Sequence, residues 1–280
     1  MDYKVFKDRI EINGKEDFDI EHILECGQVF SFVKTDHYTC YSADKKAEIF
    51  EDEKGFKIVT KDPEYFEEYF DLKTDYSKIK SELSKHKILQ NPIKFGHGIR
   101  ILRQNLFEAV ISFIVSQNNN IKRIKNILFK IREKFGKNIG DFYAFPTRVE
   151  LLKATEDDFA KLGCGYRAKY LYGILRQVDE QTLLEWQSLP TQELRNRLVG
   201  LIGIGPKVAD CILLFGYGKG DVFPVDTWMH QMYGQFFDRC ENREKIRNNL
   251  TKIFGNLSGY AQQYLFFLMR AKQNKKGIEK

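Results

Sequence analysis

The change of hydrophobic period near residue 100 constrains this 280-residue chain more than any other feature. Upstream of it, QVFSFVK, YTCYSAD, KAEIFED and GFKIVTK are short and rich in β-branched and aromatic residues. Turn-prone stretches near Asp36, Asp44 and Lys54-Gly55 separate them, as an antiparallel meander requires. The first ninety or so residues therefore read as strands. Within them, the run EYFEEYFDL after Asp62-Pro63 reads as helical, and KILQNPIKFGHGIR as an exposed stretch before the period changes. Downstream, LFEAVISFIVSQ is apolar nearly all round, which marks a buried central helix. Asn118-Asn119-Asn120 stops it, because asparagine favours caps and turns over helix interiors.

The next helix places Ile121, Ile124, Ile127, Leu128, Ile131 and Phe135 on one face, with Lys and Arg on the other as a solvated surface. Further helices are predicted over 150–161, 168–184, 191–199, 207–215, 227–236 and 260–272. The expected fold class is α+β: an antiparallel sheet domain over 1–99, an all-helical domain over 100–272 and a loose tail over 273–280.

Twenty-three Phe and fourteen Tyr argue for a packed interior rather than disorder. Five scattered cysteines, with no CxxC spacing, argue against a disulfide framework, a zinc ribbon or a cysteine-held iron–sulfur cluster. No metal or cofactor is expected. The N-terminus is charged and lacks a signal-peptide core, and no apolar run approaches membrane-spanning length. The reading is cytoplasmic, with no membrane partner. A formal charge of +6 leans towards a polyanionic ligand, since each phosphate neutralised by Lys or Arg releases counterions.

The chemistry concentrates in LVGLIGIGPKVADCILLFGYGKGDVFPVDTWMH, residues 198–230. Gly203-Ile204-Gly205 forms a tight turn, and Pro206 opens the next helix, where its missing N–H costs nothing. Two glycines let backbone approach a ligand closely, and the free N–H groups of a helix start suit a phosphate. Lys207 and Cys211 lie four residues apart, on one helix face. Asp226 stands where a later helix begins. Taken singly, Lys207 reads as a surface lysine pairing with Asp210, Cys211 as core and Asp226 as a helix cap. The order and spacing of all three outweigh that bland account.

This segment resembles the helix-hairpin-helix, Gly/Pro…Asp motif of the DNA glycosylase superfamily that includes endonuclease III. GIGPKVADC followed by PVD is similar, more narrowly, to the 8-oxoguanine DNA glycosylase family, in a compact prokaryotic form. SFIVSQNNNIKRI (112–124), LGCGYRAKYL (162–171), GYAQQYLFF (259–267) and CGQVF (26–30) support the narrower match, which spans nearly the whole chain.

The resemblance implies excision of 8-oxoguanine from duplex DNA by base flipping, then strand cleavage through a Schiff base, in base excision repair. Lys207 would be the nucleophile, with a pKa lowered by desolvation, and Asp226 the second catalytic residue. Cys211 and Phe266 would sandwich the flipped base, and Gln262 would bond its Watson–Crick edge. The Gly27 carbonyl would accept the extra N–H at N7. Asn118, Arg123 and Arg167 would read the opposite base, with cytosine preferred, and Tyr166 would wedge into the duplex. Gly203 and Gly205 would carry the phosphate contact. The implied partner is double-stranded DNA containing 8-oxoguanine, and the implied setting is a monomer working at the nucleoid.

Thr227-Trp228 departs from the valine and histidine common in the family. Two rival readings are an alkylated-base glycosylase, against which Lys207 speaks, and a non-catalytic DNA-binding module, which would leave Lys207, Asp226 and Gln262/Phe266 unexplained together.

Overall fold

A computed structural model describes the backbone of residues 1–278 and the side chains of residues 1–272; the loose tail expected at 273–280 is corrected as far as Ile278, to which the helix Ser258–Ile278 runs, and residues 279–280 lie outside the described residues. Six strands form one antiparallel sheet: β1 (Asp2–Val5), β2 (Arg9–Asn13), β3 (Phe32–Lys34), β4 (Tyr38–Ser42), β5 (Lys45–Glu51) and β6 (Gly55–Thr60). The spatial order is β1-β2-β6-β5-β4-β3, so the expected meander is β3 to β6 and the N-terminal hairpin adds to its far edge. Alternation puts Ile10 and Ile12, Cys40, Ala47 and Ile49, and Phe56 and Ile58 into one core. Phe66, Tyr69 and Phe70 cover that face from the helix Pro63–Tyr69 and its end.

Strands end at Thr60, earlier than the sequence reading had them. Residues beyond fold into helices Pro63–Tyr69, Tyr76–Leu83 and Lys87–Phe95. The last of these corrects the stretch expected to be exposed: Leu89, Pro92 and Ile93 are buried in it. Pro92 reads as a breaker in sequence, yet it costs this short helix only one interior hydrogen bond.

Two predicted long helices are also split. The 150–161 segment is a pair of single turns, Arg148–Leu151 and Glu156–Phe159, and each carries a full capping box, from Thr147 with Glu150 and from Thr155 with Asp158. The 168–184 segment breaks after Gln177, where Asp179 caps Glu180–Glu185. Helices Ile20–Leu24 and Arg243–Phe254 complete the site's surroundings.

Leu106–Ser116 is the central helix, buried from Phe107 through Val115, and the helical core is packed around it. A third core joins the helices of residues 76–95 to Thr227–Phe236, Arg243–Phe254 and Ser258–Ile278. The sheet is locked to the helices by a buried polar joint. Glu108 of the central helix receives Arg132 Nη2 at 2.5 Å, Ser31 Oγ at 2.7 Å and the Ala43 N–H at 2.8 Å. Arg100, fully buried, donates to carbonyls of Asp17, Phe70, Asp71 and Thr74. The Gln28 side chain donates to the Arg100 carbonyl and accepts from the Leu102 N–H, which fixes the loop after Ile20–Leu24, the loop that carries Gly27, against the start of the helical half.

Candidate active site

The predicted hairpin forms between helices Thr191–Val199 and Pro206–Phe215. Gly203 has φ +78°, and a Cβ there would stand 2.5 Å from Cβ of Tyr170, so only glycine fits. A Cβ on Gly205 would meet nothing within 4 Å, so this glycine is open to the outside. Gln117 Nε2 donates to the Gly203 carbonyl at 2.8 Å, tying the hairpin to the end of the central helix.

One cavity of about 1330 Å³ opens beside this hairpin. Its wall includes Lys207, Asp226, Cys211, Gly27, Gln262 and Phe266, and also Asn118, Tyr166 and Gly205. Six separate parts of the chain thus converge on one space. Asp226 caps Thr227–Phe236, its Oδ1 accepting the Met229 N–H at 2.9 Å. The capping reading and the cavity reading hold together, because Asp226 caps the helix and lines the cavity at once. Asp210 does not pair with Lys207. It is buried and shared between Arg195 (2.8 Å) and Arg247 (3.1 Å).

Lys207 overturns one expectation. Burial pushes its pKa down, but Cys211 and Asp226, together with a hydrogen bond to the Cys211 side chain, push harder, and the net displacement is upward. Desolvation alone favours the neutral amine, whereas the Asp226 carboxylate and the hydrogen bond to Cys211 favour the ammonium. Burial raises the Cys211 thiol against the opposing pull of Lys207. Burial also raises Asp226, against hydrogen bonds from Met229 and Trp228 and the charge of Lys207.

Cys211 and Gln262 are buried in the cavity wall, and the Gln262 Oε1 has no hydrogen-bond partner among the described residues. An orphaned buried acceptor on a residue of the cavity wall is a site waiting for a donor. Gly27, with φ +87°, has its Cα against the Phe266 ring, to which a Cβ would approach within 3.1 Å.

The structure separates the remaining candidates. Tyr166 is 48% exposed at the cavity rim. Arg123 is exposed and does not line the cavity; its Nη2 donates to the Gly163 carbonyl at 3.0 Å. Arg167 is buried, contrary to its expected place on the duplex face. Its Nε and Nη2 donate to the Gln117 carbonyl, Nη2 also to Asn118 at 2.8 Å and Nη1 to Cys164 at 3.2 Å. It scaffolds the turn on which Asn118 sits at φ +44°.

The family model described as the N-terminal domain of 8-oxoguanine DNA glycosylase matches residues 10–110, and that of HhH-GPD superfamily base excision DNA repair proteins matches 111–256. The chain belongs to the 8-oxoguanine DNA glycosylase family. A crystal structure of the 8-oxoguanine glycosylase/lyase of Clostridium acetobutylicum, bound to double-stranded DNA with cytosine opposite 8-oxoguanine, superposes with a TM-score of 0.90. It shares 36% identity and covers 98% of this chain and 99% of that one. A probable N-glycosylase/DNA lyase of Methanothermobacter thermautotrophicus is 31% identical over 229 residues, 72% of this chain and 73% of the relative. The Arabidopsis thaliana N-glycosylase/DNA lyase OGG1 is 33% identical over 188 residues, 60% of this chain; the match spans about half (51%) of that relative's length.

Family membership does not exhaust the wall. Gln117, Gln263, Arg243 and Arg270 also line the cavity, and sequence reading passed over them. Gln117 had a signal, since it opens the QNNN turn; the others sit in helices where a polar residue reads as solvated.

Proposed function

We propose that this family member is a bifunctional DNA glycosylase and abasic-site lyase that excises 8-oxoguanine from duplex DNA, opposite cytosine, in base excision repair. One observation carries the reading: an amine, a carboxylate, an orphaned amide oxygen and an apolar ring from three chain segments share one cavity.

The base is flipped out of the stack into that cavity. Once Lys207 has given up its proton, its lone pair forms a bond to C1′ as the bond from C1′ to N9 breaks, and the electron pair of that bond leaves with the base, which takes up a proton. Asp226 stabilises the positive charge that develops on the sugar. Departure of the ring oxygen from C1′ gives the imine; loss of a C2′ proton then expels the 3′ phosphate. Cys211 and Phe266 hold the two faces of the base. Gln262 Oε1 accepts from its N1–H and N2–H edge, and the Gly27 carbonyl accepts from N7–H, which guanine lacks.

Tyr166 fills the vacated stack, Asn118 and Arg123 meet the orphaned cytosine, and Arg167 acts through the Asn118 turn. Gly203 and Gly205 bring backbone N–H groups to a phosphate. The division we favour is a sheet unit over 1–99 and a catalytic unit over 100–272. The enzyme works as a monomer on the nucleoid in the cytoplasm; among the described residues no helix is long and apolar enough to cross a membrane.

Base release from duplexes carrying 8-oxoguanine opposite each of the four bases tests this. Fastest release opposite cytosine, with none from undamaged guanine, is the expected result. Release of alkylated bases with 8-oxoguanine untouched would overturn it.

A further inference from the structure

The loop that presents Gly27 is braced at its carbonyls, one after another. Arg270 Nη1 donates to the Glu25 carbonyl at 2.7 Å. Gln263 Nε2 donates to the Cys26 carbonyl at 2.9 Å, and Gln104 Nε2 to the Gln28 carbonyl at 2.7 Å. The Gln28 side chain in turn holds the Ile23 and Arg100 carbonyls and the Leu102 N–H. Among the described residues no donor reaches the Gly27 carbonyl itself. Every neighbouring acceptor is spent, and that of Gly27, a residue of the cavity wall, is left over.

Two of these braces come from the helix that carries the base-contacting side chains. Gln262, Phe266 and Arg270 follow at four-residue spacing along one stripe, with Gln263 beside them. Arg270 also packs on Gly27 directly, since a Cβ there would lie 3.4 Å from its Nη1. A guanidinium held in the cavity wall by a backbone carbonyl is a rigid spacer between loop and helix.

We infer that Arg270 and Gln263 are positioning residues for lesion discrimination: they fix the Gly27 carbonyl at a set distance from the base plane, where it accepts N7–H of 8-oxoguanine and opposes the N7 lone pair of guanine. This rests on the proposed function of the cavity. Preorganisation of an acceptor matters most for the ligand that donates to it, so loss of a brace costs 8-oxoguanine more than guanine.

The test uses Lys207→Gln as an inert background and compares its affinity for duplexes with 8-oxoguanine or guanine opposite cytosine. Adding Arg270→Met keeps the apolar stem and removes the donors. It is expected to weaken 8-oxoguanine binding about tenfold while leaving guanine binding within about twofold. Gln263→Met is expected to act in the same direction, and Arg270→Lys to recover part of the loss. Equal weakening for both duplexes, or none for either, would overturn the inference. If Lys207→Gln alone fails to distinguish the two duplexes, the underlying reading of the cavity falls instead.

Discussion

Because Cys211 and Asp226 keep the Lys207 ammonium charged despite its burial, attack on the sugar requires a proton to leave first. The neutral fraction of an amine grows tenfold per pH unit below its pKa. Single-turnover excision is therefore expected to climb from about pH 6 to about pH 9 without levelling off. Cys211→Ala removes the hydrogen bond that favours the Lys207 ammonium, so the same climb should begin at lower pH. A profile superimposable on the parent's would show that the thiol does not set the lysine's state. At this scale the sequence was informative about identity and less so about surroundings. Lys207, Asp226, Cys211 and Gln262 all reach the cavity wall. Order in sequence does not reveal that a thiol and a carboxylate would outweigh burial, nor that Arg167 would spend its guanidinium on carbonyls.

The two glycines of the hairpin do different work, and substitution separates them. Gly203→Ala forces a side chain into the left-handed region and against Tyr170, and is expected to cost about 1–3 kcal/mol in a denaturant melt. Gly205→Ala adds a methyl group to open space at φ −85°, so stability should change by less than about 0.5 kcal/mol. Its effect should fall on DNA affinity, by holding the backbone away from a phosphate. Equal melts for both variants would contradict this division. Strongly periodic elements were legible: the meander, the central helix and the hairpin helices stand close to where the patterns put them. Elements set by local caps were not, because Thr155 and Asp179 interrupt runs whose hydrophobic pattern continues across the break. Lys87–Phe95 was hidden by its proline.

The sheet and the helices form one body through Glu108, Arg132, Ser31 and Ala43. Arg132→Met would strand a buried carboxylate, and a loss of about 3–5 kcal/mol is expected in a single unfolding transition. Separate melting of the two halves would show that the joint is not what couples them. The α+β plan was readable from the change of period, because that depends only on side-chain repeat. The joint was not, since Glu108 sits in an apolar run and Arg132 on a helix rich in charge; only tertiary structure brings them together. The third core likewise unites segments more than a hundred residues apart.

Borohydride trapping on a duplex with 8-oxoguanine opposite cytosine, followed by peptide mapping of the reduced adduct, tests the central claim most directly. The cross-linked sugar should map to Lys207, and Lys207→Gln should yield no adduct while still binding the duplex. An adduct on any other amine, or undiminished trapping by that variant, would contradict the account.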